Sequence, residues 1–142
     1  LANERAKIAM TDEETSSFLA SNRKMQLATI NRDGTPHLVT MFYAMLDGRV
    51  AFWTYRSSQK ALNILRDARV TVLIEDGIDY FELRGVQISG VAEPTDVLTV
   101  GRLVGRGIGT GLDEFIEYTA RKRLAWLVSP TRVSSWDHRK LV

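Results

Sequence analysis

The sequence predicts an α+β chain, a β-barrel of short strands decorated by a few helices. Three observations lead there. Period-two apolar runs alternate with Asp-Gly pairs at 33–34, 47–48 and 76–77, and such pairs signal hairpins because glycine supplies the positive φ of a tight turn. Two stretches, 11–22 and 58–66, have helical character and open on a hydroxyl residue suited to cap a helix. One long run, 37–46, is apolar on both faces, which a strand on a single-layer barrel is not unless its outer face is covered.

The first helix spans 11–22, where Thr11 and Glu14 have capping-box spacing and Phe18 and Leu19 anchor the apolar side. The period then changes to two, with strands at 25–30, 37–46 and 49–55 separated by the first two Asp-Gly turns. A short helix at 58–66 and a β-branched strand at 70–75 follow. Strands at 80–83 and 86–92 come next, or one strand kinked at Gly85. Pro94 and Thr95 open a helical region, 96–104, and residues 105–111 read as a glycine-rich loop bordering a groove. A helix at 113–124 and a last strand, 126–128 and 131–136, broken by Pro130, close the chain.

At 142 residues the chain fits one domain over 1–142. With no cysteine, disulfides, thiolate metal sites and a cysteine nucleophile are excluded, which fits a reducing cytoplasm. No apolar run approaches the roughly 20 residues of a membrane span, and the opening LANERAKIAM lacks the apolar core of a secretory signal. Net charge is only +2 and no run of five basic residues occurs, so neither nucleic acid nor membrane is expected as a partner. His37 and His138 are the only histidines, too few and too far apart for a catalytic metal. Residues 105–111 are not a phosphate-binding Walker loop, because no Gly-Lys-Ser/Thr follows.

In the run 37–46, one face carries Val39, Met41, Tyr43 and Met45, and the other Leu38, Thr40, Phe42, Ala44 and Leu46. A helix of the chain, a second subunit or a flat aromatic ligand is expected on the outer one. The most informative stretch is Trp53-Thr54-Tyr55-Arg56-Ser57-Ser58-Gln59-Lys60. It passes from strand exit through a loop to a helix start, where unpaired N–H groups and the positive dipole end gather. Ser57 or Ser58 can cap the helix and donate to an anion, and Arg56 and Lys60 add charge. The stretch suits a phosphate cradle; it also suits a capped helix with solvated charges. Arg121-Lys122-Arg123 reads as a solvated helix end or as a contact for an acidic ligand tail.

The segments DGTPHLVTMFYA, VAFWTYRSSQKALNILRDARVTVLIEDG and LRGVQISGVAE, in that order and spacing, resemble the pyridoxamine 5'-phosphate oxidase-like superfamily. More narrowly they are similar to its deazaflavin group, which uses coenzyme F-420, and the closing SWDHRKL resembles a subset of that group. The resemblance implies a flavin-binding split β-barrel that pairs as a homodimer, with the cofactor in a groove between protomers. It implies that Thr54, Ser58, Gln59 and Lys60 meet the cofactor phosphate, and that Thr40, Met41, Phe42 and Tyr43 lie along the ring. It also implies that Trp136 approaches the cofactor bound to the other subunit. A groove of Met41, Phe42, Tyr43 and Trp53 suits a large flat ring. Hydride then passes between cofactor and a stacked substrate, so no side chain is named as a chemical catalyst. Some relatives of this fold ligate heme, which leaves His138 as a weak candidate.

The leading expectation is an F-420-dependent oxidoreductase acting on a small unsaturated or conjugated substrate. The alternatives are a flavin mononucleotide (FMN) oxidase or reductase and a non-catalytic cofactor-binding protein. Pyridoxamine phosphate oxidation is disfavoured because Asp137-His138-Arg139 only partly echoes the Arg-x-His substrate motif. Gln59 stands where FMN enzymes often carry a second basic residue. Arg5, Lys7, Arg56, Lys60, Arg139 and Lys140 read instead as dispersed charge for an extended anionic tail.

Overall fold

Seven strands form one antiparallel sheet in the order β2-β1-β5-β6-β7-β4-β3 in the computed structural model, which describes residues 4–107 and 113–142. The strands are β1 (Lys24–Ile30), β2 (Pro36–Phe42), β3 (Ala44–Leu46), β4 (Arg49–Tyr55), β5 (Arg69–Asp76), β6 (Arg84–Thr95) and β7 (Arg123–Asp137). The helices are α1 (Glu4–Ile8), α2 (Asp12–Ser21), α3 (Gln59–Arg66), α4 (Val97–Gly107) and α5 (Asp113–Ala120).

The order dictates the shape. The two edge strands, β2 and β3, are separated in sequence only by Tyr43. A flat sheet cannot have adjacent residues at opposite edges, so the sheet curls until its edges meet, and Tyr43 is the joint. Its N–H donates to Arg23 O at 2.9 Å and its hydroxyl donates to Leu19 O at 2.6 Å, tying the joint to the end of α2.

The joint resolves the two-faced run. Val39, Met41, Tyr43 and Met45 all join the core inside the barrel, with Phe18, Met25, Phe52, Val72 and Trp126. The other face divides. Ala44 and Leu46 are covered by α4 through Val97, Val100 and Val104, whereas Leu38 and Phe42 remain 66% and 42% exposed. The chain's own helix therefore covers β3 and leaves β2 bare.

Local signals held where chemistry was local. Thr11 accepts from Glu14 N at 3.1 Å and Glu14 Oε1 accepts from Thr11 N at 2.9 Å, a complete capping box. Asp47 and Gly48 both have positive φ, 53° and 73°, the twist that a two-residue hairpin needs.

Five expectations need correction. Residues 80–82 form a 3₁₀ turn rather than a strand. Pro94 and Thr95 end β6, and α4 runs from Val97 through Gly107, so the expected loop begins later; residues 108–111 of it lie outside the described residues. The helix expected over 113–124 stops at Ala120, because Arg123 and Leu124 already pair with Tyr55 and Thr54 in β7. Pro130 does not break β7: Ser89 pairs with Arg132 and Gly90 with Pro130, leaving Thr131 as the extra residue of a bulge that accommodates a proline. The short helix α1 was not anticipated.

Candidate cofactor pocket

A cavity of ≈ 400 Å³ opens where the sheet's two edges meet. Its walls come from β2 (Thr40, Met41, Phe42), β4 (Trp53, Thr54, Tyr55), the first turn of α3 (Lys60) and the start of β7 (Arg123). Lys24, Val104, Gly105, Phe115 and Ile116 complete it. A larger cavity, ≈ 660 Å³, lies at the opposite end of β4 around Val50, beneath α1 and α2. That one contains none of the strand-loop-helix residues, and its floor is core: Leu19, Val50 and Val128. Chemistry rather than size selects the first.

The anticipated residues separate into two sets. Thr40, Met41, Phe42, Trp53, Thr54 and Lys60 line the pocket together. Tyr43 does not: as the joint it turns into the barrel and is 4% exposed, and burial raises its hydroxyl pKa far above the usual tyrosine value. Ser58 also lies outside the lining. It is the N-cap of α3, accepting from Ala61 N at 3.3 Å and donating to Tyr55 O at 2.7 Å. With that hydrogen committed, Thr54 Oγ1 is the donor in the long 3.4 Å contact with Ser58 Oγ. Gln59 is exposed and its amide donates to Asn63 Oδ1 at 2.9 Å, away from the pocket. Trp136 lies far along β7, its ring across Gly85, its cross-strand partner.

Asn63 fixes α3 against the barrel. Fully buried, it donates to Thr29 Oγ1 at 3.0 Å and Asn31 Oδ1 at 2.9 Å. Lys60, one turn earlier, is thereby held at the pocket. Trp53 is held by close approach: a Cβ on Gly101 of α4 would stand 2.5 Å from its ring.

Arg123, read from sequence only as part of a basic cluster at a helix end or against an acidic tail, is a residue of the pocket wall itself. Its guanidinium carbon stands 4.5 Å from the Trp53 ring centroid and 4.2 Å from that of Tyr55. Its Nε is buried and has no hydrogen-bond partner. Among the described residues neither Lys60 nor Arg123 has a carboxylate within ion-pair distance. Burial lowers the Lys60 pKa below the usual lysine value, and the charge of Arg123 lowers it further. Three cations, Lys24, Lys60 and Arg123, line one pocket, and none has an ion pair among the described residues. Extending the period-two pattern back to Arg123 places that residue on β7, and that is the signal that could have found it.

The rim continues the charge. Arg56 N donates to Lys122 O at 2.9 Å, and the Arg56 guanidinium donates to the Arg121 carbonyl. Arg56 is thus tied to the Arg121-Lys122 turn, next in sequence to the pocket residues Tyr55 and Arg123, and none of the three has an ion pair among the described residues. Of the other cations read as tail contacts, Arg139 pairs with Asp137 at 2.8 Å, Lys140 with Glu14 at 2.7 Å and Lys7 with Glu4 at 3.4 Å. Those three are neutralised locally, and Arg5, without an ion pair among the described residues, lines the larger cavity. His138 also lies outside the pocket; its Nδ1 is 2.7 Å from Tyr80 O. Among the described residues no cluster of three metal-ligating side chains exists, and no helix is long and apolar enough to cross a membrane.

Known proteins share this architecture. A conserved hypothetical protein of Mycobacterium tuberculosis is 40% identical, with a TM-score of 0.91, over 96% of this chain and 91% of its own. The heme storage protein HutZ of Vibrio cholerae (14% identity, TM-score 0.70, 87% and 94% of the two chains) and an F-420 reductase (23%, 0.63, 84% and 94%) share the fold. No curated protein matches the sequence. Residues 11–137 match the pyridoxamine 5'-phosphate oxidase family, a span that contains the whole curled sheet and the pocket lining. The chain belongs to that family and has its split β-barrel fold.

Proposed function

We propose that this protein is an oxidoreductase that binds the deazaflavin coenzyme F-420 and passes hydride to a small unsaturated or conjugated substrate. The observation that carries the reading is the pocket itself. An apolar and aromatic wall of Met41, Phe42 and Trp53 runs directly into unpaired cations at Lys60 and Arg123. A flat ring attached to a phosphate needs that pairing of surfaces. The buried, partnerless Nε of Arg123 is a polar atom for which the fold provides no acceptor, so an anionic group fits the donor set. When bound, such a cofactor supplies the hydride chemistry. The chain's part is to orient the ring on β2 and Trp53, exclude water beneath α4 and neutralise the phosphate. The cations that adjoin the pocket residues Tyr55 and Arg123 in sequence, Arg56, Arg121 and Lys122, suit the phosphodiester and carboxylate tail of F-420, which extends beyond one phosphate. Sharing a fold with an F-420 reductase supports the same choice.

A homodimer belongs to this reading. The bare β2 face continues across the sheet by register. Leu38, Ala28, Thr71, Ser89 and Arg132 form one row, and Thr40, Gln26, Leu73, Gln87 and Ser134 the next. Apart from Arg132 at the β7 end the rows are uncharged, as the centre of an obligate interface requires. We place a second copy there, with Trp136 of the partner subunit reaching the pocket, in a cytoplasmic enzyme.

One observation favours a second reading. Lys60 and Arg123 are close enough to perturb one another, and such a cluster also suits the compact phosphate of FMN, even though Gln59 points away. Fluorescence titrations of the apoprotein with F-420 and with FMN, at low and high salt, decide between them. F-420 is expected to bind more tightly at both, with affinity falling as salt screens the mouth. Tighter binding of FMN at both salt levels overturns the assignment. Light scattering is expected to give twice the 16.0 kDa chain mass; a monomer that binds cofactor equally well refutes the dimer.

A further inference from the structure

We infer that the larger cavity, at the end of β4 remote from the cofactor pocket, is a second ligand site for an uncharged aliphatic molecule with one hydroxyl- or carbonyl-type head. This goes beyond the cofactor reading and does not rest on it, since the two cavities share no lining residue.

The space is a consequence of how α1 and α2 are tied to the sheet. Met10 N donates to Ser135 Oγ at 2.9 Å, and Lys140 Nζ donates to Ala9 O at 3.0 Å. These bonds pin the link between the two helices over β7, and α1 itself buries no side chain. The cavity left beneath is ≈ 660 Å³, within the roughly 300–1,000 Å³ of small-molecule sites.

Its depth is aliphatic. Leu19, Val50, Ile88 and Val128 are buried at the base. Val133, cross-strand from Ile88, lines the same space and stays 51% exposed, an apolar side chain that the fold leaves uncovered. Among the described residues no aromatic ring lines this cavity, whereas Phe42, Trp53, Tyr55 and Phe115 line the cofactor pocket. A flat ring gains from aromatic partners. An aliphatic chain gains from burial alone, which is what these walls offer.

The polar groups select the head. One face of α2 runs Asp12, Thr15, Ser16, Leu19 along the cavity wall, polar at the helix start and apolar deeper in. Among the described residues the hydroxyls of Thr15 and Ser16 have no hydrogen-bond partner, and the Ser135 hydroxyl hydrogen has no acceptor. Charge is balanced. Register sets Arg132 and Ser134 on the outer face with Ser89 and Gln87, and Arg49 turns to Glu93 at 3.1 Å. Arg5 and Asp12 remain, of opposite sign. An ionic head would lose at one what it gained at the other and be desolvated besides. An uncharged head bonds to the free hydroxyls without that loss.

The test uses octanol, octanoate and indole as probes on the full chain, followed by methyl NMR. Octanol is expected to shift the Ile88 and Val133 methyl resonances and to leave that of Val104, in the cofactor pocket, in place. Octanoate is expected to bind at least fivefold more weakly, and indole to leave Ile88 and Val133 unmoved. V133F fills the space and is expected to weaken octanol binding at least tenfold. T15V keeps the volume, removes one hydroxyl and is expected to weaken it at least threefold. Thermal melts verify that both variants fold. Unmoved Ile88 and Val133 methyls in wild type, or V133F binding like wild type, overturn the site. Indole binding as tightly as octanol, octanoate binding more tightly, or T15V binding octanol like wild type overturns the ligand class. Failure of F-420 to bind while octanol still moves Val133 overturns the cofactor choice and leaves this site standing.

Discussion

Replacing Gly101 with alanine tests whether the pocket wall is wedged in place by α4. The new Cβ would stand 2.5 Å from Cζ3 and 2.8 Å from Cη2 of Trp53. Ordinary contact begins near 3.4 Å, so the indole has to retreat by about 1 Å. Overpacking of this kind costs roughly 1–3 kcal/mol, while alanine in a helix interior returns about 0.8–1.0 kcal/mol relative to glycine. The two leave a net loss of about 0–2 kcal/mol, a fall in Tm of at most about 8 °C for a chain of this length. Ligand binding suffers separately. Arg123 packs on the same indole, and weakening a cation–π contact costs on the order of 1 kcal/mol, roughly a fivefold loss of affinity. Thermal melts and cofactor titration of the variant measure the two effects. A Tm raised by the full helix gain together with unchanged affinity would refute the wedge, because Trp53 would then have been free to move.

Lys60→Ala is expected to weaken cofactor binding by roughly 1.5–3 kcal/mol, the range for a charge-assisted bond to phosphate, in the same fluorescence titration. It should not reduce stability: with its pKa lowered, the charged lysine opposes folding below that pKa, and the penalty fades as pH rises toward 10.5. An anion restores the charge, so binding at alkaline pH should take up a proton, read by calorimetry in two buffers of different ionisation enthalpy. Asp137→Asn is expected to cost roughly 1–2 kcal/mol at pH 7, measured by urea unfolding. The Arg139 guanidinium and backbone hold the Asp137 carboxyl below 3.8. Its contribution is therefore present above 3.8 and disappears as pH falls through the lowered value, where variant and wild type should converge.

What the sequence made legible was local chemistry. A capping box, an Asp-Gly turn and an N-cap serine act within a few residues, and Thr11, Asp47-Gly48 and Ser58 hold the positions their neighbours imply. Of the two-faced strand, composition predicted cover on both sides but not that the chain itself covers only β3. That depends on Tyr43, where the strand breaks so that β3 passes beneath α4 and β2 does not. Tyr43 also shows how a periodic reading misassigns a site residue. It has the aromatic character of a groove wall, yet its parity with Val39 and Met41 is that of the core.

The charge that gives the pocket its chemistry was illegible for a different reason. Lys60 and Arg123 are far apart in sequence, and only the β4–β7 pairing, Tyr55 opposite Arg123, brings them to one place. Local pattern therefore grouped Arg121, Lys122 and Arg123 as one cluster, solvated or set against an acidic tail, although the strand separates them. Arg121 and Lys122 stay exposed at the turn, while Arg123, the first residue of β7, is half-buried. A basic residue at the start of a strand, opposite an aromatic residue at the end of its partner, has no salt-bridge partner to reveal it in sequence. Its meaning comes from the assembled cavity: Lys24, Lys60 and Arg123 line it, and among the described residues no carboxylate lines it with them. On the proposed reading, Gln59 need not weaken the cradle. The second positive charge is supplied across the barrel seam by Arg123, and Gln59 is left to brace Asn63 and the helix that presents Lys60.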